Sequence, residues 1–148
     1  NTYATIANGG QRADVHVIDK VTDSDGRVLY QYKPHTTQAI KPDINRDVSY
    51  SMQQVVLHGT GANAQAIDRP AAGKTGTATN DAGDVSSSWF VGFTPQLSTA
   101  VMYVRGDGDN ALNDWLPPYN GAAGYFGAGY PTATWAAARW CLPSRVFR

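Results

Sequence analysis

A nine-residue stretch in the middle of the chain, residues 71–79 (AAGKTGTAT), constrains the fold more than any other feature. As a β-strand it places Lys74 and Gly76 on one face and Thr75 and Thr77 on the other, because side chains alternate along a strand. Glycine weakens the interior of a strand unless another backbone or a ligand must approach closely. The sequence therefore predicts a strand that lies against a second segment or a bound molecule.

Three interpretations fit this stretch. The first is a nucleotide-binding P-loop, whose end matches Gly73-Lys74-Thr75. A P-loop needs a glycine five residues earlier, where Asp68 stands, and a helix directly afterwards, where the residues favour a strand and a turn. The second is the active-site strand of serine acyl-transferring enzymes, which supplies a cation, hydroxyl donors for a carboxylate and a backbone N–H for an oxyanion. The third is an edge strand without a ligand.

Composition excludes several other classes of function. The 12 basic and 12 acidic residues cancel, so no net charge favours nucleic acid or an anionic membrane. The single cysteine, Cys141, excludes an internal disulfide, and the histidines at positions 16, 35 and 58 lack neighbours at metal-ligand spacing. We therefore predict no metal, no cofactor and no nucleic-acid partner. No apolar run approaches the roughly 18 residues of a membrane-spanning helix.

The first third of the chain predicts a helix end followed by a hairpin. Residues 1–7 resemble the last turns of a helix that stops at the Asn-Gly-Gly of residues 8–10. Because a mature chain rarely begins inside a helix, we expect residues of the same fold to precede Asn1. Residues 15–21 and 27–32 are β-rich and flank an Asp-Gly turn, which predicts a β-hairpin.

The pattern then changes from strand to helix. Residues 33–42 are predicted to be a connection, and a helix to run from position 43 to a stop at His58-Gly59. Asp43 or Asn45 is the expected N-cap, and Gly59 is expected to adopt a left-handed C′ conformation. The apolar face of this helix carries Val48, Met52, Val55 and Val56.

Three strands in quick succession predict an antiparallel meander, at residues 71–79, 87–93 and 97–105. One face of the middle strand is predicted to pack on helices; it carries Trp89, Val91 and Phe93. The opposite face carries Phe90 and Gly92.

The last part of the chain combines a long loop with a helix. Residues 106–130 predict either a functional surface or lid, or an aromatic-rich loop that packs on itself. Its aromatic residues include Tyr119, Tyr125, Phe126 and Tyr130. Residues 131–140 predict a helix with Thr132 or Thr134 as its cap and with Trp135 and Arg139 stacked one turn apart.

Four segments, in this order, give the chain a family resemblance: residues 4–10 (ATIANGG), 59–61 (GTG), 73–77 (GKTGT) and 89–95 (WFVGFTP). Together they resemble the transpeptidase domain of class A penicillin-binding proteins, and the similarity covers nearly the whole chain. Residues 101–106 and 113–117 further resemble the actinobacterial members.

This resemblance implies an α+β fold with a five-stranded antiparallel sheet flanked by helices. It implies a D,D-transpeptidase that cross-links peptidoglycan stem peptides at the extracytoplasmic face of the cell membrane and is acylated by β-lactams. The implied catalytic and substrate-binding strand is Lys74, Thr75, Gly76 and Thr77. By the resemblance, Lys74 supports the proton network and the positive potential, and the hydroxyls of Thr75 and Thr77 bind the substrate carboxylate. The backbone N–H of Thr77 contributes to the oxyanion hole.

The chain departs from the family pattern in one respect. The family uses a Ser-x-x-Lys, a Ser-x-Asn and a Lys-Thr-Gly, and only the last is present. None of the four lysines has a serine three residues before it, and no serine stands two residues before an asparagine. We therefore expect residues 1–148 to be the C-terminal portion of one transpeptidase domain, whose serine lies upstream or on another chain. The alternative is a non-catalytic cell-wall or partner-binding module that retains the strand.

Overall fold

The computed structural model describes residues 1–113, 115–121 and 125–138. Its helices are α1 (Thr2–Ala7), α2 (Pro42–His58), a 3-10 helix (Ala62–Ile67) and α3 (Tyr130–Ala138), and a single 3-10 turn lies at Tyr119–Gly121. Its strands are β1 (Gln11–Ala13), β2 (Lys20–Thr22), β3 (Val28–Gln31), β4 (Thr36–Gln38), β5 (Ala72–Thr79), β6 (Val85–Thr94) and β7 (Leu97–Val104). The chain therefore has the predicted α+β architecture, with antiparallel sheets and with helices that pack on the largest of them.

The main sheet is the predicted meander, with the strand order β5-β6-β7. All its strands are antiparallel, and β6 lies in the centre. Among the described residues this sheet has three strands, fewer than the five that the family resemblance implies for a whole domain. The order leaves β5 at an edge of the described sheet, with one side open to other groups.

Phe90 is the centre of the larger core cluster. It is fully buried and packs with Val56 of α2, Ile67 of the 3-10 helix and Trp135 of α3. The rings of Phe90 and Trp135 meet edge to face with centroids 5.2 Å apart. A Cβ at Gly92 would lie 2.7 Å from the Phe90 ring and 2.9 Å from the Trp135 ring. Glycine on β6 thus gives the two aromatic rings the space in which they meet.

The opposite face of β6 is less covered than predicted. Phe93 packs with Ile6 of α1 and with Met52 of α2, but Trp89 and Val91 are only half-buried. The prediction that this face packs on helices is therefore right for Phe93 only. Alternation could not separate the faces, because both carry large apolar side chains. The face that carries Phe90 accepts a helix at close range because Gly92 on that face has no side chain.

Two small sheets form the region before α2. Strand β1 pairs with β4, and β2 pairs with β3 in the predicted hairpin. Neither β1 nor β4 was predicted, because strands of three mainly polar residues give no periodic signal. The hairpin's first strand begins at Lys20 rather than at Val15, and Val15 and Val17 remain 80% and 96% exposed.

The end of α1 confirms its prediction. Gly9 and Gly10 have φ values of +66° and +86°, in the left-handed region that glycine adopts without strain. The N–H of Gly10 donates to the carbonyl of Thr5 at 2.9 Å. These contacts turn the chain out of α1 and into β1.

Both predicted caps of α2 are wrong. Lys41 occupies the N-cap position with Pro42 directly after it, and proline's fixed φ suits the first helical turn. Asn45 lies inside the helix, buried, and its side-chain Nδ2 donates to the Ile6 carbonyl at 3.0 Å. Gly59 is extended, with φ −120°, rather than left-handed. Tertiary contacts to α1, which local sequence does not report, take Asn45 away from capping.

The cap predicted for the last helix is wrong as well. Thr132 lies inside α3, fully buried, and its hydroxyl donates to the carbonyl of Gly127 at 2.6 Å. The hydroxyl of Thr134 pairs with that of Tyr103 instead of capping the helix. Arg139, expected to stack on Trp135, lies outside the described residues, as does Cys141.

Candidate active site

Lys74 lies on the open edge of β5 and is exposed. Its Nζ donates to the carbonyl of Thr75 at 3.0 Å and to the Thr75 hydroxyl at 3.4 Å. The strand register places Lys74 opposite Val91 and Thr75 opposite Phe90, so the two side chains leave opposite faces of the sheet, as the sequence predicted. The Lys74 ammonium group therefore reaches around the edge of β5 to the hydroxyl of the next residue, Thr75.

The loop after α2 brings a second hydroxyl to this edge. The Thr60 and Thr75 hydroxyl oxygens lie 2.8 Å apart, which is hydrogen-bond distance. The N–H groups of Gly59 and Gly61 both donate to the Val55 carbonyl, at 3.1 and 2.9 Å. Thr60 thus projects from a tight turn fixed to the end of α2.

Thr77 contacts the loop that precedes α3. The N–H of Gly127 donates to the Thr77 hydroxyl at 3.3 Å. A Cβ at Gly127 would collide with the backbone of Gly76 and Trp89, so the loop approaches the sheet at a distance that only glycine permits. The buried Thr132 hydroxyl donates a hydrogen bond to the Gly127 carbonyl. Thr77 is therefore the point at which the edge strand, the loop and α3 meet.

The backbone of β5 also offers groups at the open edge. In an antiparallel strand the N–H and C=O of one residue point to the same side, and that side alternates from residue to residue. The Thr75 carbonyl accepts its hydrogen bond from Lys74 Nζ at the open edge. The alternation then directs the N–H of Thr77, two residues on, toward that edge. One ammonium, several hydroxyls and a backbone N–H thus border the same space, a set that suits an anionic group.

The sequence of the chain matches the model of a known protein family. Residues 1–114 match the model of the penicillin binding protein transpeptidase domain, which is more than half of the chain. The chain belongs to this transpeptidase family. The predicted family resemblance is thereby confirmed.

Relatives and solved structures agree with this assignment. Penicillin-binding protein 1A of Neisseria gonorrhoeae is 45% identical in an alignment of 132 residues that covers 84% of this chain and 15% of that protein. Penicillin-binding protein 1A of Mycolicibacterium smegmatis is 35% identical in an alignment of 141 residues that covers 93% of this chain and 17% of that protein. The chain therefore spans about a sixth of the length of these relatives.

A mycobacterial structure shares the fold. The PonA1 protein of Mycobacterium tuberculosis in complex with penicillin V superimposes with a TM-score of 0.77 and 31% identity, over 93% of this chain and 35% of that one. The mycobacterial matches agree with the resemblance to actinobacterial members. The neisserial relative has a higher identity over a shorter stretch, so the actinobacterial refinement is supported in part.

The structure brings all four predicted site residues of this transpeptidase strand together on β5 and excludes the P-loop. Gly73-Lys74-Thr75 lies inside a strand that continues to Thr79, whereas a P-loop passes directly into a helix. Thr60 and Gly127 were missed as site neighbours. For Thr60 a signal existed, since the Gly-Thr-Gly of residues 59–61 was already part of the family pattern.

The described part of the long aromatic loop packs partly on itself and partly on Tyr103 of β7. Tyr125 is buried, and its hydroxyl donates to the carbonyls of Asn113 and Leu116. The rings of Tyr119 and Tyr130 meet edge to face at 5.1 Å. Phe126 differs, since it is 53% exposed and directly precedes the glycine that contacts Thr77.

The described ranges carry neither a metal-ligand cluster nor a membrane-spanning helix. These residues hold no group of three or more His, Cys or Asp side chains that could bind a metal ion. No helix of the described part is long and apolar enough to cross a bilayer.

Proposed function

We propose that the chain is the C-terminal portion of a D,D-transpeptidase domain that cross-links peptidoglycan stem peptides and is acylated by β-lactams. The observation that carries this proposal is the edge strand β5, where Lys74, Thr75 and the Thr77 N–H border one open space in a chain of the transpeptidase family. The penicillin V bound to PonA1, a protein of the same fold, supports β-lactams as ligands.

Each group of the strand has a distinct part in the proposed reaction. Lys74 supplies positive potential and holds the local proton network. The hydroxyls of Thr75 and Thr77 bind the carboxylate of the stem peptide or β-lactam, and charge-assisted hydrogen bonds are the stronger kind. The Thr77 N–H stabilises the oxyanion of the tetrahedral intermediate together with the N–H of the nucleophilic serine.

The nucleophile comes from outside these 148 residues, since the chain contains no Ser-x-x-Lys. The partner that supplies it is the remainder of the same domain, on the same or a separate chain. Stem peptides are extracytoplasmic, and we place the domain at that face of the bacterial cell membrane. The missing motif also supports the second candidate, a non-catalytic wall-binding module, which binds the same anionic peptide without being acylated.

Acylation by penicillin separates the two candidates. The second-order acylation rate of the complete domain would be measured for the wild type, for Lys74→Ala and for the control Lys33→Ala, an exposed lysine in the connection between β3 and β4. We expect Lys74→Ala to lower the rate by about 10² to 10³, as removal of one preorganised electrostatic group does, and Lys33→Ala to leave it within about twofold.

A folded Lys74→Ala domain that is acylated at the wild-type rate would show that β5 is not the active-site edge. A complete domain that binds penicillin without acylation would favour the wall-binding module.

A further inference from the structure

We propose that Thr60 is a positioning residue for carboxylate recognition: it donates its hydroxyl proton to Thr75, so that the Thr75 proton is left to face the substrate. The inference rests on the proposed function, because it assumes that the Thr75 hydroxyl binds the substrate carboxylate. Thr60 itself touches neither the substrate nor the reacting atoms in this proposal.

The first step is a count of protons around the Thr75 oxygen. A hydroxyl has one proton and accepts two hydrogen bonds, whereas a lysine ammonium only donates. The contact from Lys74 Nζ at 3.4 Å is therefore one in which Thr75 accepts. In the 2.8 Å contact between Thr60 and Thr75 either oxygen can be the donor.

The direction of that second bond decides what Thr75 offers to an anion. If Thr75 donates to Thr60, its only proton is used and the open side of its oxygen presents a lone pair, which repels a carboxylate. If Thr60 donates, Thr75 accepts from both Thr60 and Lys74 and keeps its own proton for the anion. A carboxylate beside Thr75 selects the second arrangement, and hydrogen bonds in such a chain strengthen one another.

The turn that carries Thr60 is built to hold this geometry. Two N–H groups, from Gly59 and Gly61, converge on the Val55 carbonyl. A Cβ at Gly61 would lie 3.3 Å from the Phe90 ring and 3.1 Å from that carbonyl, so the turn packs tightly between α2 and the core. Because the turn is anchored on both sides, Thr60 meets Thr75 without ordering a flexible segment. The interaction is therefore preorganised, which lowers the entropic cost of binding.

The test uses the complete domain and two matched probes, benzylpenicillin with its free carboxylate and benzylpenicillin methyl ester. The ratio of their second-order acylation rates is the carboxylate preference. For Thr60→Val we expect this preference to fall about 5- to 10-fold, the effect of one ordinary hydrogen bond. The fall should come from slower reaction with the acid, while the ester rate stays within about twofold. Thr60→Ser keeps the donor and should restore the preference.

A purely structural role predicts a different pattern. If Thr60 only holds the turn, Thr60→Val slows the acid and the ester equally, and the preference stays at its wild-type value. That result, or an unchanged rate with both probes, would overturn the inference. Thr60→Ala serves as a second variant if the valine variant fails to fold, and a thermal melt identifies such a failure.

Thr75→Val separates failure of this inference from failure of the proposed function. If Thr75→Val leaves the carboxylate preference intact, Thr75 does not bind the carboxylate, and the roles given to Thr75 and to Thr60 both fail. If Thr75→Val abolishes the preference but Thr60→Val does not change it, only the role of Thr60 is wrong. We expect the double variant to show no further loss beyond Thr75→Val, because the effect of Thr60 passes through the Thr75 oxygen.

Discussion

Thr77 uses its side chain and its backbone for different purposes. Its hydroxyl accepts the Gly127 N–H at 3.3 Å, while the strand alternation directs its own N–H toward the open edge of β5. A hydroxyl that accepts from the loop keeps its proton for a substrate oxygen. Replacing the side chain therefore removes one recognition contact and leaves the backbone donor in place.

We predict that Thr77→Val weakens carboxylate recognition about 5- to 10-fold, by the loss of one hydrogen bond. Valine keeps β-branching and nearly the same volume, so the strand itself should persist. The measurement is the acylation rate of the complete domain with acidic and esterified penicillin. Thr77→Ser, which keeps the hydroxyl, is the matched control. Equal slowing of both probes by Thr77→Val would indicate a displaced strand rather than a lost contact.

Gly73 has no room for a side chain, so its replacement should lower the stability of the fold. A Cβ there would lie 2.6 Å from Phe90 Cζ and 2.8 Å from the Val91 carbonyl oxygen. We expect Gly73→Ala to lower the unfolding free energy of the complete domain by about 1–3 kcal/mol, as overpacking does. Chemical denaturation would measure it.

The control for Gly73→Ala is Gly83→Asn. Gly83 lies in an exposed turn with φ +85°, and a Cβ there meets nothing within 4 Å. Asparagine tolerates such backbone angles better than most residues. A Gly73→Ala domain as stable as this control would contradict the close packing of β5 on Phe90.

At the scale of elements, long periodic patterns were predictable from the sequence and short or contact-dependent ones were not. The alternation of Lys74 and Thr75 across β5 follows from backbone geometry alone, so the sequence predicts it. Strand β4 and the contact between Thr60 and Thr75 depend on where the chain returns in space, which local pattern does not encode. The predicted N-cap of α2 was wrong for the same reason, since the Asn45 side chain donates a hydrogen bond to the Ile6 carbonyl of α1.

We predict that the β2–β3 hairpin opens more easily than the central strand of the main sheet. All seven of its strand residues are exposed, and two isolated strands are marginally stable in water. Strand β6, by contrast, lies between two strands and carries the fully buried Phe90. We predict that amides of Val21 and Tyr30 exchange with solvent at least about 100-fold faster than those of Phe90 and Val91, because opening the hairpin exposes little new apolar surface.

Hydrogen exchange followed by mass spectrometry would measure this difference. The exposed segment at Val15 and Val17, which lies outside any strand, is an internal reference for rapidly exchanging amides. Protection of the hairpin equal to that of β6 would mean that another segment covers it in the complete domain.

For the whole molecule, the two faces of the main sheet are unequal. The Phe90 face is closed by the 3-10 helix and α3. The face that carries Lys74 has Trp89 and Val91 half-buried and Met102 46% exposed. From this uneven cover we propose that the remainder of the transpeptidase domain packs on the Lys74 face. The chain would then supply one wall of the active site and receive the nucleophile from the other.

This division predicts that the isolated 148-residue chain is not covalently labelled by a fluorescent penicillin. Acylation needs a serine activated by an adjacent base, and no serine here stands three residues before a lysine. Folding does not provide a substitute in β6, because Ser86 and Ser88 are buried and the Ser87 hydroxyl accepts a hydrogen bond from the Trp89 indole. Denaturing electrophoresis after labelling would show no band for the isolated chain and a band for the complete domain. Mixing the chain with a polypeptide that carries the Ser-x-x-Lys and Ser-x-Asn motifs should place the label on that polypeptide, about 10² to 10³ times faster with Lys74 than with Lys74→Ala. A label on the isolated chain that survives denaturation would mean that it holds its own nucleophile, and the two-walled site would have to be abandoned.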